Sequence, residues 1–487
     1  MTSTIPLSED ECWKISNNYP PFTTAPIKES NIAWISEFMK GRLYFALLRK
    51  PQKPPCTSTD HFFTTDDDFL YVPYNKDFGP LCLASLIRYC CLIKDKLYYQ
   101  RLNRKRIVHC TSLTDPYTRA NASYLIAGFA VLCLGQKPSD AIAPLLQRGT
   151  LKTHLPDIPP FRDASSSAGL KTITLLDCLN ALHFALRHGF VNPNDFDVEE
   201  YERLQELNLN WISPRGLIAF AGPLERGYGY KPETYVDYFK KNNVQAIVRL
   251  NRPAYDRTVF TNAGIRLIDW CFPDGTPPPF TIVRDFLNLC NLLECGKLTS
   301  TNPGVIAVHC RAGLGRTGTL IATRLMGEYG MRARDAVAWI RICRPGSVMS
   351  LQQEWLENNE EFFITNFRKL RNLQRTLKSR VTNIGKPLFG IYSIHEKYAP
   401  KNGPLEGEFP PTGGLIDKEN IIAKKKHKIN KGKLNYYDFN TKYPIQRTRF
   451  AAKFPHMKSD NGEQIKRSYL TGKGLQGKQP IRRRRHS

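Results

Sequence analysis

A cysteine followed six residues later by an arginine, with glycines between them and apolar runs on both sides, constrains this chain more than any other feature. The segment is His309-Cys310-Arg311-Ala312-Gly313-Leu314-Gly315-Arg316-Thr317-Gly318. Before it, Gly304–Val308 is a short apolar run that reads as a buried strand. After it, apolar residues recur at helical spacing from Thr317 to Tyr329. Strand, glycine loop and helix in that order form an α/β unit. At the start of such a helix, unpaired N–H groups and the positive end of the dipole favour an anion.

The residue types suit attack on a phosphate ester. A helix N-terminus and nearby cations favour the thiolate form of a cysteine, which makes Cys310 the expected nucleophile. Residues Arg311, Ala312, Gly313, Leu314, Gly315 and Arg316 form the expected phosphate-binding loop. Glycines there let the backbone turn its N–H groups inward. The planar fork of Arg316 suits two phosphate oxygens, which lysine does not. The Thr317 hydroxyl is expected to donate to the Cys310 sulfur and help it leave in a second step. His309 is expected to fix the loop by hydrogen bonds rather than act as a base. A nucleotide-binding P-loop is excluded, because no Gly-Lys-Ser/Thr follows.

The leaving oxygen needs a proton, and the phosphocysteine then needs an activated water; one carboxyl group can serve both steps. Asp274 is the best candidate, in the loop Phe272-Pro273-Asp274-Gly275-Thr276-Pro277-Pro278-Pro279 after the apolar strand Ile265–Ile268. Pro-Asp-Gly is also an ordinary turn, and Asp269 competes for the role. Downstream, Arg344-Pro345-Gly346-Ser347 ends a helical segment, Ala333–Cys343, and Gln352-Gln353 begin another. A glutamine can orient water, although a solvated helix start leads on spacing alone.

Further stretches are more particular. They are Asp77-Phe78-Gly79-Pro80-Leu81, Tyr89-Cys90-Cys91, Arg119-Ala120-Asn121-Ala122, Pro160-Phe161-Arg162-Asp163-Ala164-Ser165, Asn210-Trp211-Ile212, Tyr238-Phe239-Lys240-Lys241, Val248-Arg249-Leu250-Asn251 and Trp339–Ser347. With these the chain resembles the cell-division-cycle-fourteen family of dual-specificity protein phosphatases, from about Asp77 to Gln353. The resemblance implies an α/β fold of two tandem cysteine-phosphatase-like domains, the first without a catalytic centre, and the composition beyond them reads as a basic, mostly disordered tail. The resemblance implies hydrolysis of phosphoserine, phosphotyrosine and phosphothreonine in proteins; the histidines form no metal-ligand cluster and the expected mechanism needs neither metal nor cofactor. Cell-cycle control, by reversing proline-directed phosphorylation, is the implied setting. It also supports Asp274 as the acid.

The expected divisions are an N-terminal extension (1–30), a non-catalytic domain (31–193), an acidic linker helix (194–212), a catalytic domain (213–375) and the tail (376–487). The first domain carries an echo of the second. Arg106-Ile107-Val108-His109-Cys110 and the helical Arg119–Val131 mirror Ile306–Cys310 and its helix, but the loop glycines are missing and Pro116 stands in place of the arginine. Cys110 is therefore expected to be structural.

Asp195, Asp197, Glu199, Glu200, Glu202 and Glu206 crowd the linker against Arg203 alone. The plain reading is a solvated helix. The resemblance implies an acidic groove for basic residues after a phosphoserine–proline, with Glu199 and Glu202 matching two of the groove acids and Asn208 standing where the third is commonly aspartate. Arg311 stands where the family commonly has lysine, and Ser350-Leu351 where it commonly has Gly-Pro. The substrate proline is expected against apolar loop atoms near Leu314.

From Thr376 to Ser487 there are 25 Lys and Arg against 8 Asp and Glu, +17 of the chain's +26. Lys424–Lys428 and Arg482–Arg485 are dense basic clusters within it. A solvated tail, nuclear import and attachment to an anionic surface (microtubules, spindle or nucleic acid) stand side by side as readings. Nucleus and cytoplasm, with centrosome or spindle, are the expected locations. Thirteen cysteines without a Cys-x-x-Cys pair or a secretory leader point to a reducing compartment, and no apolar run is long enough to span a bilayer. An inositol-lipid phosphatase and a phosphate-binding scaffold are the rival functions. The apolar Leu314 argues against the first, and Cys310, Arg316 and Asp274 together argue against the second.

Overall fold

The computed structural model describes residues 27, 29–146, 156–165, 171–214, 216–227, 229–294, 304–365 and 389–398. Nearly all of the N-terminal extension and both basic clusters of the tail lie outside them. Contacts divide the chain into two units. The first holds every described residue up to Ile394; of the second only His395–Tyr398 are described, and they are helical.

The first unit is built on two sheets of one design. In the N-terminal half, β1 (Ile32–Met39) and β2 (Leu43–Leu48) form an antiparallel hairpin. A third strand, β3 (Asp60–Thr64), precedes helix α1 (Leu83–Tyr98), and β4 (Arg106–Ser112) follows it. The order is β1-β2-β4-β3, with β4 parallel to both neighbours. Helices α2 (Pro116–Leu134) and α3 (Pro138–Leu146), the short strands β5 (Phe161–Arg162) and β6 (Thr172–Ile173), and α4 (Leu175–Arg187) complete this half. After α5 (Val198–Glu206), the second sheet opens with the hairpin β7 (Leu209–Ser213) and β8 (Leu217–Ala221).

Then come α6 (Glu233–Lys241), β9 (Val244–Arg249), α7 (Thr258–Asn262), β10 (Arg266–Asp269), α8 (Phe280–Glu294) and β11 (Val305–Cys310). Helix α9 (Gly315–Arg324) runs into one π-turn, Leu325–Tyr329, and α10 (Ala333–Cys343) and α11 (Ser350–Asn358) follow. The order β10-β9-β11-β8-β7 repeats the first sheet with one strand added.

The echo extends to register. Phe45 and Ala46 stand opposite His109 and Cys110, as Phe220 and Ala221 stand opposite His309 and Cys310. Strands β4 and β11 are central strands of their sheets and are buried almost along their whole length, with an apolar run before the His-Cys pair in each, as strands covered on both faces require. The halves are joined by α4 packing on α10, by Arg334 paired with Asp177 at 2.8 Å, and by Tyr201 donating to the Cys343 carbonyl at 3.0 Å. One continuous apolar core runs through both.

Two boundaries differ from expectation. The linker is helical only over Val198–Glu206, and Leu209–Ser213 is the edge strand β7. Asn208, at φ +58° and buried, makes the break, since asparagine tolerates the left-handed region better than most residues. Asn208 is thus a helix stop rather than a member of an exposed acidic groove. Inside the segment expected as tail, Ile391, Tyr392 and Ser393 are buried against the linker. No helix among the described residues is long and apolar enough to cross a membrane.

Candidate active site

The two halves treat the same strand–loop–helix unit in opposite ways. In the first, Asp115 caps α2: its carboxylate accepts from the Tyr117 and Thr118 amides at 2.9 and 3.2 Å. A protein carboxylate therefore occupies the anion position of that helix. Cys110 is buried, its thiol pushed up to about 12 by burial and then by Asp66, so it stays protonated and inert. In the second half, Leu314 at the N-cap of α9 offers no capping side chain. The positive end of that helix is left to whatever anion the Cys310 loop admits.

Three features hold the loop in shape. Gly313 lies at φ +68°, and a Cβ built there would stand 1.9 Å from the Phe220 carbonyl oxygen, so only glycine lets the loop approach β8 this closely. Arg344, buried beneath the loop, donates to the carbonyls of Gly313 at 2.7 Å and Ala312 at 3.0 Å, and to Asn210 Oδ1 at 2.7 Å. Satisfying those carbonyls from behind fixes the peptide planes of the loop. His309 is buried, and burial lowers its pKa to about 4, so it is neutral at pH 7. Its Nδ1 donates to the Cys310 carbonyl at 2.9 Å and its Nε2 accepts from Tyr255 at 2.8 Å. It orients the strand end and has no proton-transfer role there.

Arg316 is buried and anchored through Nη1 to the carbonyls of Leu250 at 3.2 Å and Phe272 at 3.0 Å. Its Nε lies 3.1 Å from Asp274 Oδ1, so the structure brings together Cys310 on its loop, Arg316 and Asp274. Asp274 is exposed on its loop and accepts from the Gly275 amide at 3.0 Å. The competitor Asp269 is held by both nitrogens of the Arg249 fork, at 2.5 and 3.1 Å. A carboxylate so held is a structural tie between β9 and β10.

Gln352 is buried beside the loop, its Oε1 at 2.9 Å from where a Gly315 Cβ would be. It donates to the Thr276 carbonyl of the acid loop at 3.2 Å and accepts from the Met349 amide. It therefore links nucleophile loop and acid loop. Gln353 does not belong with it. Its Oε1 accepts from Arg341, and its Nε2 donates to the Thr172 carbonyl and to Glu357, which makes it a tie to the first half. Adjacent helix residues point about 100° apart, and the pair splits accordingly. The loop before α11 is strained: Val348, a buried β-branched residue, sits at φ +60°.

Other expected residues need correction. The Thr317 hydroxyl is fully buried and has no hydrogen-bond partner, so the bond to the Cys310 sulfur is not formed in this geometry. Leu314 is only 2% exposed, its side chain packed inward, which leaves a substrate proline little surface there. Arg311 is exposed at the loop's rim. Glu202 is held by both donors of Arg88, at 3.0 and 2.7 Å, and Glu200 by Arg203. Glu199 and Glu206 are exposed and meet no cation among the described residues. Sequence reasoning gave no role to Arg344, Asn210 or Tyr255. Arg344 and Asn210 lay within the family-like stretches, but nothing in their spacing ties them to the loop.

Comparison with known proteins identifies relatives of both halves. Residues 37–185 match the family described as dual specificity protein phosphatase, N-terminal half. Residues 229–328 match one described as polymorphic toxin system, DSP-PTPase phosphatase. Dual specificity protein phosphatase CDC14AB of Danio rerio is 45% identical over 72% of this chain and 56% of its own length. For CDC14A of Homo sapiens the figures are 43%, 73% and 58%. For human CDC14C they are 44%, 65% and 68%. The chain thus spans a little over half the length of the first two. With two phosphatase-like halves, one retaining the cysteine loop, and this identity across both, the chain belongs to the CDC14 family of dual-specificity protein phosphatases.

Proposed function

We propose that this protein hydrolyses phosphoserine in proteins, and phosphotyrosine and phosphothreonine as well, through a phosphocysteine intermediate. The observation that carries the reading is the Arg316–Asp274 approach of 3.1 Å beside the Cys310 loop. It brings a phosphate-gripping cation and an acid to one loop, whose helix N-terminus is uncapped. In the first step the Cys310 thiolate attacks phosphorus and the ester P–O bond breaks. The leaving oxygen takes the proton of Asp274. In the second, Asp274 removes a proton from a water oriented by Gln352, the water oxygen bonds to phosphorus, the P–S bond breaks to return the Cys310 thiolate, and inorganic phosphate leaves. Arg316 and the loop amides hold the equatorial oxygens through both steps.

A preference for phosphoserine followed by proline and a nearby lysine or arginine is part of the proposal. Its basic-residue part rests on the exposed carboxylates Glu199 and Glu206, since Glu202 is already shared with Arg88, and its proline part on the resemblance to the family alone. The names of the relatives support a cell-cycle setting, and the charge of the tail supports nuclear import or an anionic surface as its partner. Phosphate release from matched phosphopeptides and phosphoinositides tests the activity, with Cys310→Ser as control. Turnover of peptides only, abolished by the substitution, is the expected result. Preferential turnover of phosphoinositides would replace the protein substrate with a lipid, and binding without turnover would make the chain a scaffold.

A further inference from the structure

The stretch after the catalytic domain folds back onto the acidic helix α5. The Ile391 amide donates to the Phe190 carbonyl at 2.8 Å and the Ile394 amide to the Asp195 carbonyl at 3.0 Å. Ser393 forms an antiparallel bridge with Phe196, and its hydroxyl donates to the Asp195 carboxylate. Tyr392 holds the centre. Its carbonyl accepts from the Asp197 amide at 2.8 Å, its hydroxyl accepts from the Trp211 amide at 2.9 Å, and its ring lies 5.2 Å from those of Phe196 and Tyr201. Tyr392 is 8% exposed and adopts φ +57°, a left-handed conformation that a bulky residue keeps only when its surroundings demand it.

These contacts join three parts of the chain. Phe190 and Asp195 lead out of the first half, Asp197 is the N-cap of α5, and Trp211 lies on β7 of the catalytic sheet. The other end of α5 is held separately, by Tyr230 and Tyr235 donating to the carbonyls of Glu206 and Leu207 at 2.8 and 2.9 Å. Arg88 holds the side of the helix through Glu202. The N-terminal turn, which carries Glu199, is thus tied twice, by Tyr201 to the Cys343 carbonyl and by residues that lie beyond the catalytic domain.

We propose that residues 390–394 form a strap that positions the acidic helix, and that Tyr392 is a positioning residue for recognition of a basic residue in the substrate. The inference rests on the proposed reading of α5 as the surface that meets that residue. Without the strap the start of α5 keeps only the Tyr201 bond to Cys343 and loosens, as helix ends with fewer tertiary contacts do. Its carboxylates then spread over many positions, and several weak ion pairs no longer act together.

The test uses the full chain carrying Tyr392→Ala, with Tyr392→Phe as the conservative variant. Two readouts are taken. The first is the ratio of kcat/KM for a phosphoserine–proline peptide with a following lysine to that for the same peptide with glutamine; a ratio cancels any general loss of activity. The second is amide hydrogen exchange of residues 198–206. Tyr392→Ala is expected to lower the ratio at least fivefold and to speed exchange in α5 at least tenfold, with β11 unchanged. Tyr392→Phe, which keeps the ring between Phe196 and Tyr201, is expected to retain most of both. A ratio and an exchange rate equal to wild type in Tyr392→Ala would overturn the strap. If the wild-type protein itself shows no preference for lysine, the acidic-surface reading fails. Exchange in α5 then decides the strap alone: faster exchange upholds its hold on the helix, and unchanged exchange refutes it. Should Tyr392→Ala not fold, Ser393→Ala, which removes the contact with Asp195, carries the same two readouts at smaller amplitude.

Discussion

Replacing Arg344 by lysine should disable the phosphate loop while keeping a cation in the sequence. The guanidinium reaches three acceptors at once: the carbonyls of Ala312 and Gly313, and Asn210 Oδ1. A lysine ammonium lacks the planar fork and would keep about one of the three. Hydrogen bonds to a charged group contribute roughly 1.5–3 kcal/mol each, so two lost bonds amount to roughly 3–6 kcal/mol. The site is buried, so the lysine would also tend to shed its proton, leaving the carbonyls with a still weaker donor.

Part of that loss lowers global stability and the rest releases the loop from its phosphate-binding shape. If about half falls on the loop, the barrier rises by roughly 1.5–3 kcal/mol, or about ten- to a hundredfold in kcat/KM. The assay is kcat/KM on an aryl phosphate below the unfolding temperature of the variant, with thermal unfolding recorded alongside. Asn210→Ala, which removes one acceptor only, should fall between wild type and Arg344→Lys. A folded Arg344→Lys enzyme within threefold of wild type would show that the loop holds its shape without this brace.

Asp274→Asn should lower kcat/KM, which reports the first step, strongly for phosphopeptides and much less for aryl phosphates with good leaving groups, because only the former need the proton; equal losses in kcat/KM on both would remove Asp274 as donor. Gly313→Ala places a Cβ 1.9 Å from the Phe220 carbonyl and should reduce kcat/KM more than a hundredfold. Gly275→Ala, at φ +74° with nothing within 4 Å of its Cβ, should cost only about 1 kcal/mol of stability in urea unfolding. Burial holds His109 and His309 at about 3 and about 4, below the ordinary value of about 6.5. The unfolded chain binds protons there that the folded chain refuses, so their contribution is complete above about pH 6.5 and is lost as the pH falls toward their folded values. At pH 5 that is about 2 kcal/mol for each histidine; equal stabilities at pH 7 and pH 5 in urea titrations would contradict it.

Local pattern carried the catalytic half of the fold well. The apolar run, the glycines and the helical spacing around Cys310 identify strand, loop and helix without tertiary information, and the same signals expose the echo at Cys110. The assignment of α10 to Ala333–Cys343 follows from periodicity alone. What escaped depends on contacts between distant segments. Arg344 is one arginine among many until the fold places it under the loop, 31 residues from Gly313. Gln352 and Gln353 are alike in sequence, and only the rotation of α11 separates a loop contact from a tie to Thr172. The inward packing of Leu314 and the pairing of Glu202 with Arg88 across 114 residues are likewise tertiary. The strap at 390–394 was hidden in a segment whose composition reads as a charged tail, because five residues are too few to shift an average over more than a hundred.

The central claim is that Cys310 carries the phosphoryl group. Rapid acid quench of the enzyme with a phosphorylated substrate, followed by mass spectrometry of the peptide containing residues 309–316, tests it directly. In the Asp274→Asn enzyme with an aryl phosphate, where the second step lacks its base, the peptide should gain one phosphoryl group on Cys310, in an amount approaching one per enzyme. Steady turnover of that variant with no phosphoryl group on Cys310 at any quench time, or its appearance on another residue, would contradict the account.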